Sequence, residues 1–340
     1  MSPAAPTPTL DDDVRQLCEA LRGMLGTVDG NDTPVFSTEW PDGWAAIAAL
    51  GVTAFCVPED RGGFGLHVPA AAATAKEFGR ALHGVPFAGL ATSALALGGA
   101  DGPEAAEILA GLLNGNRLVA FGSCGTEGMA RLVVGAGHAD ALVIAHLPND
   151  RLLLFPHRAA WRAKELATFD VSRSCGEVTV DADKGIDLGP IGFAPDLFGL
   201  LLAADTVGGI ERMLERTVDY ARERQAFGRP IGGFQAVQHR LADHAVHARG
   251  MALTVNEAAR LLAAGDDDAT RMVAVAQLSV AQGATHLLHD LVQLTGGIGF
   301  TWEHGLHLFE RRAHQNARLV GNPRAAASRL AQLEGWADDV

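Results

Sequence analysis

The 340-residue sequence is short of positive charge, of paired cysteines and of long apolar runs, and each shortage removes a class of function. Lysine and arginine number 27 against 40 acidic residues, a formal charge of -13, and no clustered basic face is visible, which argues against a nucleic-acid partner. The four cysteines, Cys18, Cys56, Cys124 and Cys175, are scattered, with no CxxC pair and no zinc-type spacing, and read as reduced thiols of a cytosolic protein. The start, M-S-P-A-A-P-T-P-T-L-D-D-D, has neither the positive n-region nor the apolar h-region of a signal peptide. The nearest approach to a membrane span, Ala45 to Val57, is broken by Gly51. The expectation is a cytoplasmic chain without membrane or nucleic-acid contacts. Internal repeats, low-complexity tracts and flexible linkers are also missing. What is present, 48% hydrophobic and 20% charged residues, suits a globular protein with a large core divided into two or three subdomains.

Hydrophobic periodicity divides the chain into three blocks. Residues 1–116 read as helical. Val14, Leu17, Cys18, Leu21, Met24 and Leu25 recur at helical spacing behind an acidic Asp11 to Asp13 start. Pro58 to Gly65 reads as a glycine-rich loop, Val68 to Ala81 as a helix, and Asp101-Gly102-Pro103 as another helix start. Residues 117–190 change period: Leu118 to Phe121, Arg131 to Val134, Ala141 to His146, Arg151 to Phe155 and Glu177 to Val180 read as strands of a small β domain. Residues 191–340 return to long helices, from Asp196 to Arg224, Phe234 to Ala264 and Ala269 to Thr295, an alanine-rich set that packs as an antiparallel bundle.

The most specific stretch is Tyr220 to Asp243, Y-A-R-E-R-Q-A-F-G-R-P-I-G-G-F-Q-A-V-Q-H-R-L-A-D, followed by Q-L-T-G-G-I-G at Gln293 to Gly299. Together, in this order and spacing, they resemble the signature of the acyl-CoA dehydrogenase family, R-x-x-F-G, then F-Q, then Q-x-x-G-G-x-G. V-P-E-x-x-G-G-F-G from Val57 and E-F-G-R-A-L from Glu77 resemble that family's N-terminal helical domain. The resemblance implies an N-terminal helical domain, a β-barrel-like middle domain and a C-terminal four-helix bundle. It also implies that Arg224, Phe227, Gln235, Gln293, Gly296 and Gly297 reach across a subunit interface to the adenosine and pyrophosphate of a neighbour's FAD. The chemistry suits this role: an arginine fork supplies charge, glycines let the backbone approach, and Phe227 gives a flat apolar wall. Taken singly, Arg224 also reads as a solvated helix-end arginine and Gly296 as a helix C-cap. The often polar family position two past the arginine is Ala226 here, so that contact does not carry over.

The rest of the family's site does not match. Its ring-binding T-E-P-x-x-G-S-D corresponds to Gly122-Ser123-Cys124-Gly125-Thr126-Glu127-Gly128, and no tryptophan lies between Trp44 and Trp161 to supply the family's next strand. Thr126-Glu127 reads better as an exposed turn. The family reaction removes a proton α to a thioester carbonyl while a hydride leaves the β carbon for the flavin, which needs a carboxylate of tuned pKa beside the substrate. One family position for that glutamate is Val320 here; the other falls near Phe198-Gly199. Asp196 reads as a helix N-cap, and Asp205 as a buried or interface polar residue or, in a rival reading, a displaced base. Asp243, His244 and His247, with His286 and His289, lie at spacings that would share helix faces, but no Glu-x-x-His set accompanies them, so no metal site is assigned.

These features imply a base-lacking subunit of a heteromeric acyl-CoA dehydrogenase, its partner a homologous chain carrying the glutamate, the flavin ring pocket and most of the acyl-CoA site, with an electron-transfer acceptor downstream. Phe169-Asp170-Val171-Ser172-Arg173 is similar to an L-D-x-T-R pattern in the smaller subunits of such actinobacterial complexes, several of which act on steroid side-chain CoA thioesters. The alternatives are a homo-oligomeric flavoprotein with an unusual base and a non-enzymatic or regulatory paralogue.

Overall fold

A computed structural model describes residues 12–26, 44–321 and 323–336; Leu10, Asp11 and the proline-rich start lie outside them. The first five helices are α1 (Asp12–Leu25), α2 (Trp44–Ala48), α3 (Val68–Arg80), α4 (Phe87–Gly98) and α5 (Pro103–Leu113). α1 and α3 lie where periodicity places them. α4, F-A-G-L-A-T-S-A-L-A-L-G, escaped a periodicity reading because it is buried on nearly every side. A helix without a polar face has no stripe to betray it.

Seven strands follow: β1 (Val119–Cys124), β2 (Met129–Val134), β3 (Ala141–His146), β4 (Arg151–Phe155), β5 (Trp161–Glu165), β6 (Cys175–Val180) and β7 (Ile186–Pro190). They form a four-stranded sheet, β1-β3-β4-β7, and a three-stranded sheet, β2-β6-β5. β1 and β3 are parallel and the other pairs antiparallel. β1 lies against β2, which joins the sheets around an apolar interior. β5 and β7, unread in the sequence, are W-R-A-K-E and I-D-L-G-P, whose charged, glycine and proline residues suit edge strands. In β2 the register slips between Ala130 and Val133, so Arg131 and Leu132 bulge out of the ladder, and Leu132 takes the left-handed φ of 59°.

The last block begins with α6 (Ala194–Glu223), continues through a hairpin of β8 (Gln225–Ala226) and β9 (Arg229–Pro230), and then α7 (Gln235–Ala264), α8 (Ala269–Thr295), α9 (Leu306–Leu319) and α10 (Pro323–Leu333). α6 to α9 pack up-down-up-down, and α3 crosses α6 at close range. That crossing needs glycine: a Cβ on Gly79 would lie 1.8 Å from the Asp205 carbonyl oxygen, and one on Gly208 would lie 1.9 Å from that of Lys76. The N-cap of α6 is Phe193, not Asp196, which lies inside the first turn. Pro195, tolerated where a helix N–H has no partner anyway, lets the helix start earlier than the Asp196 cap reading required. Asp196 instead accepts a hydrogen bond from Thr270 at 2.8 Å and pairs with Arg329 of α10, pinning the starts of α6 and α8 together.

Candidate functional site

Chemistry-bearing residues collect at the two ends of α6. At the far end Arg224 leaves the helix in an extended conformation, and the chain turns back through Phe227 and Gly228, with φ values of 53° and 79°. Two left-handed residues in a two-residue loop make a type I′ hairpin, which normally takes asparagine or glycine first. Here it takes a phenylalanine, strained and 95% exposed. Arg229 stacks over Phe234 at 4.0 Å, and the Ile231 N–H donates to the Arg224 carbonyl, which holds the hairpin against the start of α7. The Arg224 side chain is exposed and forms no ion pair with any described residue.

The antiparallel run of α7 and α8 brings Gln235, the first residue of α7, to the same end as Gln293 in the last turn of α8. Asp290 of α8 fixes this alignment by accepting from Arg240 at 3.0 Å and by contacting His244 Nε2 at 2.6 Å, both on α7. Beyond Gln293, Gly296 caps α8 in a conformation, φ 66° and ψ -147°, that is open to glycine alone. A Cβ on Gly296 or Gly297 would meet nothing within 4 Å, so this backbone is bare. All six residues named from the sequence thus share one end of the bundle, with one free guanidinium, one exposed ring and an open glycine backbone. This donor set fits a phosphate-bearing ligand approaching from outside the chain.

The other end of α6 borders a cleft of about 350 Å³ lined by Phe121 and Ser123 of β1, Arg131 and Leu132 of the bulge, Phe198, Gln277, Leu319, Val320 and Arg329, among others. The two positions that the resemblance matches to the family's base, Val320 and Phe198-Gly199, meet here. A Cβ built on Gly199 would stand 3.3 Å from Val320 Cγ1 and 1.7 Å from the amide nitrogen of Gln277. Gln277 therefore fills the space a side chain at 199 would take. No carboxylate or imidazole lies among the described lining residues; the charges are Arg131 and Arg329. Such a wall binds and orients, but it has no group to take a proton at neutral pH. Gly125-Thr126-Glu127-Gly128 is a short turn between β1 and β2, exposed at Thr126 and Glu127, and Trp161 lies at the start of β5, outside this lining.

Asp205 does not reach this cleft. It is 7% exposed, accepts from Asn316 Nδ2 at 2.6 Å and faces Arg312 at 3.4 Å. Arg312 Nε also donates to Asp170 at 2.9 Å and to Ser172 Oγ at 2.8 Å, and its Nη2 donates to the His83 carbonyl at 3.1 Å. Arg173 bonds Asp170 and Asn316, so two guanidiniums balance two carboxylates in the interior. Burial opposes the charge of Asp170, but Arg312, Arg173 and the Ser172 hydroxyl together hold its carboxyl below the usual range. Burial and Arg312 push the nearby His83 imidazole down to about 4. The F-D-V-S-R segment is thus the joint between the β sheets, α6 and α9.

Sequence reasoning missed Arg312, Asn316 and Gln277. The signal for the first two was a polar pair four apart on the buried stripe of α9; for Gln277 it was one amide in an otherwise apolar turn of α8. His286 is exposed, and His289 faces Glu310 at 3.5 Å. Among the described residues, no three metal-binding side chains cluster, and no helix is long and apolar enough to cross a membrane.

Residues 199–323 match the family described as acyl-CoA dehydrogenase, C-terminal domain. The acyl-CoA dehydrogenase IpdE2 of Mycobacterium tuberculosis is 34% identical over 287 residues, covering 84% of each chain. The solved structure described as the Tcur3481-Tcur3483 steroid ACAD G363A variant superposes with a TM-score of 0.85 over 97% of this chain and 100% of that one, at 25% identity. The ChsE4-ChsE5 complex from Mycobacterium tuberculosis superposes with a TM-score of 0.79 over 97% and 99%, at 22% identity. With its signature hairpin, its bundle and a relative of this identity along most of its length, the chain belongs to the acyl-CoA dehydrogenase family.

Proposed function

We propose that this chain is the base-lacking subunit of a two-protein acyl-CoA dehydrogenase. Arg224, Phe227, Gln235, Gln293, Gly296 and Gly297 close the adenosine and pyrophosphate end of an FAD seated mainly in a homologous catalytic partner. The partner supplies the glutamate, the ring pocket and most of the acyl-CoA site, and a separate electron-transfer protein accepts the electrons. The division into residues 1–116, 117–190 and 191–340 belongs to the same proposal, as do a cytoplasmic location and a steroid side-chain thioester as substrate. The substrate is suggested by the description of the Tcur3481-Tcur3483 structure as a steroid ACAD.

One observation carries this reading. Phe198 and Arg224 lie at opposite ends of α6, separated by about 40 Å at 1.5 Å rise per residue. A single dinucleotide does not span that distance, which supports the reading that the hairpin of one chain serves a site in another. FAD, once bound, supplies the hydride acceptor. The residues of this chain would contribute only charge, backbone donors and an apolar wall at the far end of the cofactor.

The test is the FAD content of the co-purified two-protein complex. A charge-assisted hydrogen bond contributes about 1.5–3 kcal/mol, so Arg224→Ala should weaken flavin retention by about ten- to a hundredfold while the complex keeps its mass. Unchanged flavin in an intact complex would remove Arg224 from the site. The homo-oligomeric alternative is disfavoured by the engagement of Asp205 with Arg312 and Asn316; it requires a yellow, active chain when purified alone. The non-enzymatic alternative requires a colourless chain even beside its partner.

A further inference from the structure

The cleft that has lost both base positions is not closed, and its remaining polar groups are arranged by position. It runs into a second hollow of about 430 Å³ lined by Cys124, Thr126, Glu127, Met129 and Arg318, and the two share Ser123, Arg131, Leu147, Leu319 and Gly321. Gln277 borders the inner hollow only, Arg318 the outer one only, and Arg131 stands on the lip between them. Between these polar groups the walls are apolar: Phe121, Leu132, Leu147, Phe198, Leu319 and Val320.

Each polar group has unused capacity. Gln277 is 7% exposed, and its amide, which borders the hollow, makes no hydrogen bond with any described residue and so is open to a ligand. Arg131 and Arg318 form no ion pair with any described residue, in a chain whose formal charge is -13. Glu127 is the single carboxylate among the described residues lining either hollow, against three arginines, of which Arg329 is already paired with Asp196. Arg131 and Leu132 are turned out of β2 by a bulge held at a left-handed φ, a strained way of aiming two side chains at a cavity.

We propose that this cleft is a non-catalytic binding site for an amphipathic anion with an apolar body, an anionic head held by Arg131 and Arg318, and a hydroxyl or carbonyl at the other end bonded by the Gln277 amide. Glu127, the one carboxylate, borders the outer hollow only, and no carboxylate or imidazole borders the inner one among the described residues, so the ligand is held and not turned over. This site lies entirely within the chain and does not depend on the FAD contact proposed for the hairpin.

The test is calorimetric titration of the full chain, below micellar concentrations, with 10-hydroxydecanoate, decanoate, 1,10-decanediol and decyl phosphate. The expected result is one saturable site for 10-hydroxydecanoate, decanoate several-fold weaker, and the diol at least tenfold weaker. Arg131→Ala and Arg318→Ala should each weaken both acids about tenfold and leave the diol unchanged, with Arg131→Lys recovering part of the loss. Gln277→Leu should abolish the preference for the hydroxylated acid, and Arg224→Ala should change none of these values. Decyl phosphate tighter than decanoate assigns the mouth to a phosphate, and weaker assigns it to a carboxylate. A diol that binds as well as the acids, arginine variants without effect, or no saturable binding overturns the proposal.

Discussion

The interior joint around Arg312 and the outer hairpin at Arg224 both present arginine to other groups, but they use it in opposite ways. Arg312 is 2% exposed and reaches Asp170, Ser172, Asp205 and two backbone carbonyls, so its donors are consumed within the chain. Arg224 stands next to an exposed ring, at the same end of the bundle as the bare glycines, with no ion-pair partner among the described residues. Groups whose bonding capacity is used internally hold the fold, and groups left with capacity mark where something else binds. The same contrast separates Asp205, bonded and set apart from the cleft, from Gln277, buried with an amide that bonds nothing in the described chain.

The sharpest way to break this comparison is to remove each arginine in turn. Arg312→Met strands Asp170 and Asp205 in the interior, and losing one partner of a buried ionic cluster costs about 3–5 kcal/mol. Arg224→Met should cost less than about 0.5 kcal/mol, as exposed substitutions do. Urea unfolding of the isolated chain measures both. Similar losses at the two positions would mean that Arg224 is spent within the fold after all.

A smaller effect should appear with pH at the same joint. The folded value of His83 is about 4 against about 6.5 unfolded. As pH falls from 6.5 towards 4, the unfolded chain gains a proton that the folded chain cannot hold, so stability declines across that window by roughly 2–3 kcal/mol. Asp170 acts below this window: its lowered folded value gives stability above the unfolded carboxylate pKa that is lost as pH drops further. The difference between the wild-type and His83→Gln unfolding curves at pH 7, 6, 5 and 4.5 isolates the histidine. Parallel curves would show that His83 is hydrated in the folded state.

The sequence was most readable where a local pattern states the structure. The starts of α7 and α8 and the break at the hairpin follow from F-Q, the Asp266-Asp267-Asp268 run and G-R-P, and the six signature residues do share one end of the bundle. Two kinds of information were hidden. α4 has no periodicity because neighbours surround it, and β5 and β7 carry too many charges and turn residues to look like strands. The joint was hidden because it is assembled across distance: Arg312 lies 142 residues from Asp170 and 107 from Asp205. For the same reason, the meeting of Gly199, Val320 and Gln277 could be read only as two separate substitutions until α6, α8 and α9 were packed together.

The finest test concerns Phe227, where the hairpin and the interior should part company even within one residue. A bulky side chain at a left-handed φ costs of order 1 kcal/mol, and the type I′ turn prefers asparagine followed by glycine. Phe227→Asn places that pair at the tip while leaving Arg229 stacked on Phe234 and the Ile231 to Arg224 bond in place. The ring is 95% exposed, so removing it gives up little burial in the isolated chain. The isolated variant should therefore unfold at slightly higher urea, by no more than about 1 kcal/mol. In the two-protein complex the sign should reverse, with weaker flavin retention or weaker assembly, if the strained ring packs on a surface outside this chain as proposed. A variant more stable alone and unchanged in the complex would leave Phe227 without a role at the interface and reduce the flavin contact to Arg224 and the glycine backbone.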